Sequence, residues 1–142
     1  MLAADAINEL EQYKHTPRTK LPWLRGRQTL LDCAAAVSYV LNIKPEIISC
    51  GVLVDHFKTR KTWYTTGIPK PGDIVIFDWT SGKGMGHNIN HDHTGIVTKA
   101  TRTQVTYVSA DSTRPTPGLV TDNAVSYKYV LGYGRPTYTT TK

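Results

Sequence analysis

The chain is poor in the features that mark special environments. It carries two cysteines, Cys33 and Cys50, in 142 residues. That is too few for the disulfide framework that staples small secreted domains, so they are separate thiols or one incidental bridge. No apolar run approaches the roughly 20 residues that a membrane helix needs, which excludes membrane insertion. Residues 1–13 contain Asp5, Glu9 and Glu11, with no basic stretch ahead of an apolar one, unlike a signal peptide. Acids are scarce. There are 11 Asp and Glu against 17 Lys and Arg, a formal charge of +6. No acid falls between His15 and Arg27, and no glutamate follows Glu46. Internal repeats are absent too.

What is present is ordinary for a folded domain. Hydrophobic residues make up 39% and charged residues 20%, enough for a core and against disorder. The length fits one domain, expected over residues 1–138, with 139–142 a polar tail or linker stub. The positive charge favours polyanions, whether nucleic acid, anionic lipid or the teichoic acids of a cell wall, but also serves plain solubility.

Along the chain, Ala3, Ala6, Ile7 and Leu10 recur at helical spacing. A basic, Pro-containing loop from His15 to Gln28 carries Trp23. Asp32 is a fitting N-cap for a helix through Cys33, three alanines and Leu41 to Asn42, and Ser49 for one holding Val52, Leu53, His56 and Phe57. Strand patterns then take over. Ile74–Phe77 suits a buried strand. Residues 94–98 and 104–109 suit a hairpin across Thr101-Arg102, and a last strand pair is expected around 126–129 and 131–133. Helices first and antiparallel strands afterwards predict an α+β domain.

Two residues stand out chemically. Cys33 falls in the first turn of its helix, where unpaired amides and the helix dipole favour a thiolate. A buried small hydrophobe would occupy the same place. Cys50, among Ile48, Val52 and Leu53, reads as core. His93 opens the strand His93-Thr-Gly-Ile-Val, with Gly95 and Val97 on its face. Gly95 would leave room there for a helix carrying Cys33. A catalytic histidine needs an acceptor for its second nitrogen. The hairpin would set His93 opposite Ala110 or Asp111, so Asp111 is the first candidate and Ser109 the second, although Asp111 could equally cap the following turn.

Together these pieces resemble the cysteine, histidine-dependent amidohydrolase/peptidase (CHAP) family of the NlpC-like papain superfamily. The matching segments are Asp32-Cys33 opening a helix, Pro69-Lys-Pro-Gly-Asp-Ile-Val-Ile-Phe-Asp-Trp79, Asp92-His93-Thr-Gly-Ile-Val97, Val105-Thr-Tyr-Val-Ser-Ala-Asp111, and Leu131-Gly-Tyr-Gly-Arg-Pro136. The resemblance implies a papain-like fold with N-terminal helices packed on an antiparallel β-sheet. It implies a monomeric peptidoglycan hydrolase, an amidase or endopeptidase, with Cys33 as nucleophile, His93 as base and Asp111 as orienting residue. Gln28 becomes a candidate oxyanion donor by analogy, and Ser109 and Trp23 candidate substrate or site contacts. The chain resembles the catalytic domain of a phage endolysin, which suits a protein made in the host cytoplasm without a signal peptide and acting on the wall. The expected partners are peptidoglycan and anionic wall polymers, not nucleic acid.

The pattern departs from the family in three places. Where members often carry Glu-x-Asn, this chain has Ser109 and Asp111. Some members have an acidic calcium loop ahead of the cysteine, but the acid-free stretch from His15 to Arg27 predicts no metal and no cofactor. No wall-binding domain fits in the length. Three other readings compete: a metal cluster of His87, His91, Asp92 and His93, a basic nucleic-acid or glycan-binding module using Trp23, Trp63 and Trp79, and an interbacterial amidase effector with the same chemistry.

Overall fold

The structure is a computed structural model and describes residues 1–17, 20–23, 32–47, 49–78, 92–110 and 120–138. Three helices precede six strands: α1 (Ala3–Glu11), α2 (Asp32–Leu41), α3 (Cys50–Thr59), β1 (Trp63–Tyr64), β2 (Ile74–Asp78), β3 (Asp92–Ala100), β4 (Gln104–Ala110), β5 (Val120–Ser126) and β6 (Val130–Gly134). The architecture is α+β, as the order of patterns predicted. The strands form one sheet in the order β1-β6-β2-β3-β4-β5, every pairing antiparallel.

Local chemistry sets the helix ends. The Asp5 carboxylate accepts from the Leu2 N–H at 2.8 Å and closes the start of α1. Ser49 Oγ accepts from the Val52 N–H at the start of α3. Asn42 takes the left-handed conformation, φ 55°, just past α2, and the Ile43 N–H bonds back to the Ser38 carbonyl at 2.9 Å. This is the Schellman way of ending a helix, and asparagine tolerates it better than a β-branched residue would. The α2 helix begins at Asp32 itself, not after it.

β2 is buried along its whole length and divides its side chains between two apolar layers. Ile74 and Ile76 join Ile96, Val108 and the helical residues Ala6, Leu10, Val37, Val40, Leu53 and Phe57. Val75 and Phe77 join Val97, Val105 and Tyr107 on the other face. The period-two alternation of a strand buried on both faces thus holds the sheet between two layers.

Two sequence expectations are corrected here. The last strands do not form a pair with each other: β5 lies against β4, while β6 crosses to the far side of β2. Residues 127–129 form a short 3-10 turn and no strand. Edge and interior strands of similar composition carry no local mark of their partner, so this pairing is a tertiary decision. The hairpin of β3 and β4 forms as expected, but a bulge between Val97 and Lys99 shifts its register by one residue towards the open end, giving Ile96 opposite Val108.

Candidate active site

The site is assembled where the N-terminus of α2 meets the start of β3. Ala34, Ala35 and Ala36 are all buried, so α2 packs with a slim face and brings its first turn down to the sheet. Cys33, 7% exposed, lies there, where the His93 side chain and the Thr94 backbone both act to lower its thiol. Thr94 is itself fixed, because its buried hydroxyl donates to the Val75 carbonyl at 2.9 Å. Cys33 and His93 were chosen separately from the sequence, and the fold packs α2 against β3, the two elements that carry them.

His93 is held on its other sides. Its ring lies nearly parallel to Phe77, with centroids 6.2 Å apart, and edge-on to Tyr107 at 6.0 Å. Nε2 is 2.9 Å from the Ser109 hydroxyl, which is buried at 1% exposure. Ser109 reaches the imidazole because nothing stands between them. A Cβ on Gly95 would come within 2.7 Å of Tyr107, 2.8 Å of the Val108 carbonyl and 2.9 Å of the Ser109 Cβ. The bareness of Gly95 therefore admits β4 side chains; the expectation that it would admit the helix carrying Cys33 is corrected.

The electrostatics favour a thiolate. Cys33 is held well below the usual thiol range, first by a hydrogen bond from the Cys50 thiol, against which burial acts in the opposite direction. The His93 hydrogen bond, the His93 charge and the Thr94 amide add to the lowering. A buried thiol without such donors would be pushed up instead. Cys50, 5% exposed, is a core residue as expected. Cys33 and Cys50 both stand in the first turn of a helix.

The remaining candidates are placed as follows. Trp23 is 1% exposed and packs edge-on to Tyr13 at 5.2 Å and tilted to Tyr39 at 6.0 Å, which makes it a core residue and not a surface open to substrate. Gln28 and Asp111 lie outside the described residues, as do His87, His91 and Trp79. Among the described residues, no cluster of three or more His, Cys, Asp or Glu could hold a metal ion. No described helix is long and apolar enough to cross a membrane. Two clefts of about 830 and 730 Å³ open beside the C-terminal end of α2, sharing Asn42, Ile43, Lys44 and Pro45. Neither contains Cys33 or His93, and roominess does not outweigh a paired thiol and imidazole in locating chemistry.

The fold is α+β and papain-like, with a cysteine in the first turn of a helix and a histidine near the start of the strand that this helix packs on. The model of the CHAP domain matches residues 25–111, more than half the chain, and the protein belongs to that family. The crystal structure of Ly7917 is similar in fold, with a TM-score of 0.61 at 15% identity. The alignment covers 96% of this chain and 63% of that one, so this chain spans less than two thirds of its length. No curated protein matches the chain.

Proposed function

We propose that the chain is a peptidoglycan hydrolase of the phage-lysin kind, working through Cys33 and His93. The observation that carries this reading is the packing of α2, with Cys33 buried in its first turn, against β3, where His93 stands among the groups that lower the thiol. The Cys33 thiolate attacks the carbonyl carbon of a wall peptide or amide bond. The His93 imidazolium gives its proton to the leaving amine, and the neutral imidazole then takes a proton from water as that water cleaves the thioester. The Cys33 backbone N–H, in the first turn of α2, suits the developing oxyanion, with Gln28 as the second donor. Ser109 holds the imidazole from Nε2, and Asp111 is the further acceptor that the family pattern suggests at this end of β4.

Residues 1–138 act as one catalytic domain in this reading. It is supported by Ala6 of α1 and Tyr138 near the other end packing on the same apolar cluster. The protein is a monomer that forms in the host cytoplasm and works on the wall, where its charge of +6 favours anionic wall polymers.

The test is Cys33→Ala, assayed on purified walls by mass spectrometry of the released muropeptides. The expected result is loss of all release with an unchanged circular dichroism spectrum. The masses given by the wild type identify the bond cut, since amidase and endopeptidase leave different termini. Undiminished release by Cys33→Ala would overturn the assignment. The pH profile gives a second check: because the Cys33 thiol is lowered, activity should be present above that lowered value and lost as the pH falls through it.

A further inference from the structure

The larger of the two clefts, about 830 Å³, is walled by the C-terminal end of α2, one side of α3 and the chain after β6. Basic side chains line it from separate parts of the sequence: Lys44 from the link after α2, His56 from α3, Arg60 from the cap of α3, and Arg135 from just beyond β6. Among the described residues, no acid lines it. The Arg135 charge is already matched by Asp73, which it meets at 2.9 Å. The other ion pairs among the described residues join Lys14 to Glu11 and Asp122, so Lys44 and Arg60 have no carboxylate of their own. Both are exposed.

The basic groups are partly fixed in place. Arg60 Nη1 donates to the His56 carbonyl at 3.2 Å, which ties the guanidinium back to α3. Burial first, and the Arg60 charge second, hold His56 below its usual range, so its ring enters as a neutral donor at neutral pH. The last carbonyls of α2 oppose an anion here, with a partial charge of about half a unit. Two full cations outweigh that, and the Asn42 and Ile43 amides already cover the carbonyls of Tyr39 and Ser38.

Size and lining narrow the anion. A cleft of this volume holds a ligand of many atoms, not a lone small ion. A single-stranded nucleic acid needs open aromatic faces for its bases. The aromatic ring here besides His56 is Tyr138, which packs on the apolar core with its hydroxyl donating to the Gly72 carbonyl at 2.7 Å. The neighbouring cleft has the exposed Tyr39, but also Glu9 and Glu46, which repel a polyanion. We propose that the larger cleft binds the phosphate groups of a polyol-phosphate chain of the cell wall, with Lys44 and Arg60 as its anion-binding pair. Cys33 stands at the other end of α2, about 12 Å away along the helix axis. A chain held in the cleft therefore keeps the reactive end of the same helix at the wall. The source of the chain rests on the wall-hydrolase reading, whereas the phosphate site itself does not.

The experiment is calorimetric titration of the intact protein with a synthetic glycerol-phosphate oligomer over a range of salt concentrations. The proteins compared are the wild type, K44Q, R60Q, K44Q/R60Q, and K99Q/R102Q, which loses the same charge outside the cleft. Binding should weaken about tenfold in K44Q/R60Q, with the salt slope falling by roughly 0.7 for each cation removed, as for a flexible phosphodiester strand. K99Q/R102Q should stay within about twofold of the wild type. Equal losses in the two double variants would overturn the inference, as would no binding by the wild type. Tighter binding of an oligothymidylate of matched charge would assign the cleft to nucleic acid and overturn it too. The single variants carry the test if K44Q/R60Q does not fold. On intact walls K44Q/R60Q should release muropeptides more slowly than the wild type, and on walls stripped of phosphate polymer at the same rate; no difference on intact walls would refute the wall polymer as occupant. Calorimetry needs no cleavage, so undiminished release by Cys33→Ala would sink the hydrolase reading and leave the phosphate site standing.

Discussion

Two buried polar clusters sit at the two ends of β2, built from similar parts for different ends. At one end, Asp73, 2% exposed, accepts from Arg135 Nε at 3.0 Å, from Arg135 Nη2 at 2.9 Å and from the Lys70 N–H at 2.8 Å. The guanidinium lies over Tyr64 and Tyr133, with its carbon 4.9 and 5.7 Å from the ring centroids. At the other end, His93 faces Phe77 across the β2–β3 pairing, meets Ser109 and acts to lower the Cys33 thiol. Both clusters place a charge beside aromatic rings and fixed donors. In the first, the carboxylate is saturated by a partner that never loses its proton, so the cluster is a clamp. In the second, the group beside the sulfur is an imidazole, which can release its proton near neutral pH, so the cluster can react. The contrast lies in proton lability, since burial and hydrogen-bond saturation are common to both.

Substitutions can break that contrast from either side. His93→Ala should have the largest effect, a loss of wall release by about 10²- to 10⁴-fold for removal of the general acid and base. Its thermal unfolding should stay close to that of the wild type. A parallel fall in both would make His93 a structural residue like Arg135. Asp73→Ala should do the opposite. Leaving the guanidinium without its buried carboxylate costs roughly 3–5 kcal/mol in a fully buried pair. With the Arg135 side chain 32% exposed, about 2–3 kcal/mol is expected here after solvent screening. Denaturant melts measure that loss, and activity per folded molecule should be retained.

Gly95→Ala joins the two kinds of effect. The added methyl would meet a backbone carbonyl and two β4 side chains at under 3 Å, so the strands must shift at a cost of about 1–3 kcal/mol. The same shift moves Ser109 from His93, so release should fall along with the melting point. An unaltered rate in a destabilised protein would show that Ser109 does not orient the imidazole. Ser109→Ala should have the smallest effect, a reduction of about fivefold, equivalent to one ordinary hydrogen bond of ~1 kcal/mol. A loss as large as that of His93→Ala would give the hydroxyl a direct part in the reaction.

Much of the reactive pair was legible in the chain itself. Ser49 ahead of Cys50 is a local capping signal that the structure bears out, whereas Asp32, read as a cap, is the first residue of the helix that carries Cys33. His93 at the head of a strand followed from alternation, and the order of motifs identified the family. The third partner was less accessible. Ser109 came second to Asp111 in the sequence reading because a carboxylate is the stronger acceptor. The structure puts the Ser109 hydroxyl on Nε2, while Asp111 lies outside the described residues.

The sequence by itself determined the α+β order, the helix that presents Cys33, the strand that presents His93 and the absence of a long apolar helix. These rest on neighbours within a turn or two of one another, where capping, periodicity and alternation act. Tertiary structure alone decided that β6 lies beside β2, that a bulge after Val97 sets the hairpin register, and that Gly95 admits Tyr107 and Ser109. Each of those depends on residues far apart in the chain competing for the same buried space. Close packing settles such contests only when all the competitors are present.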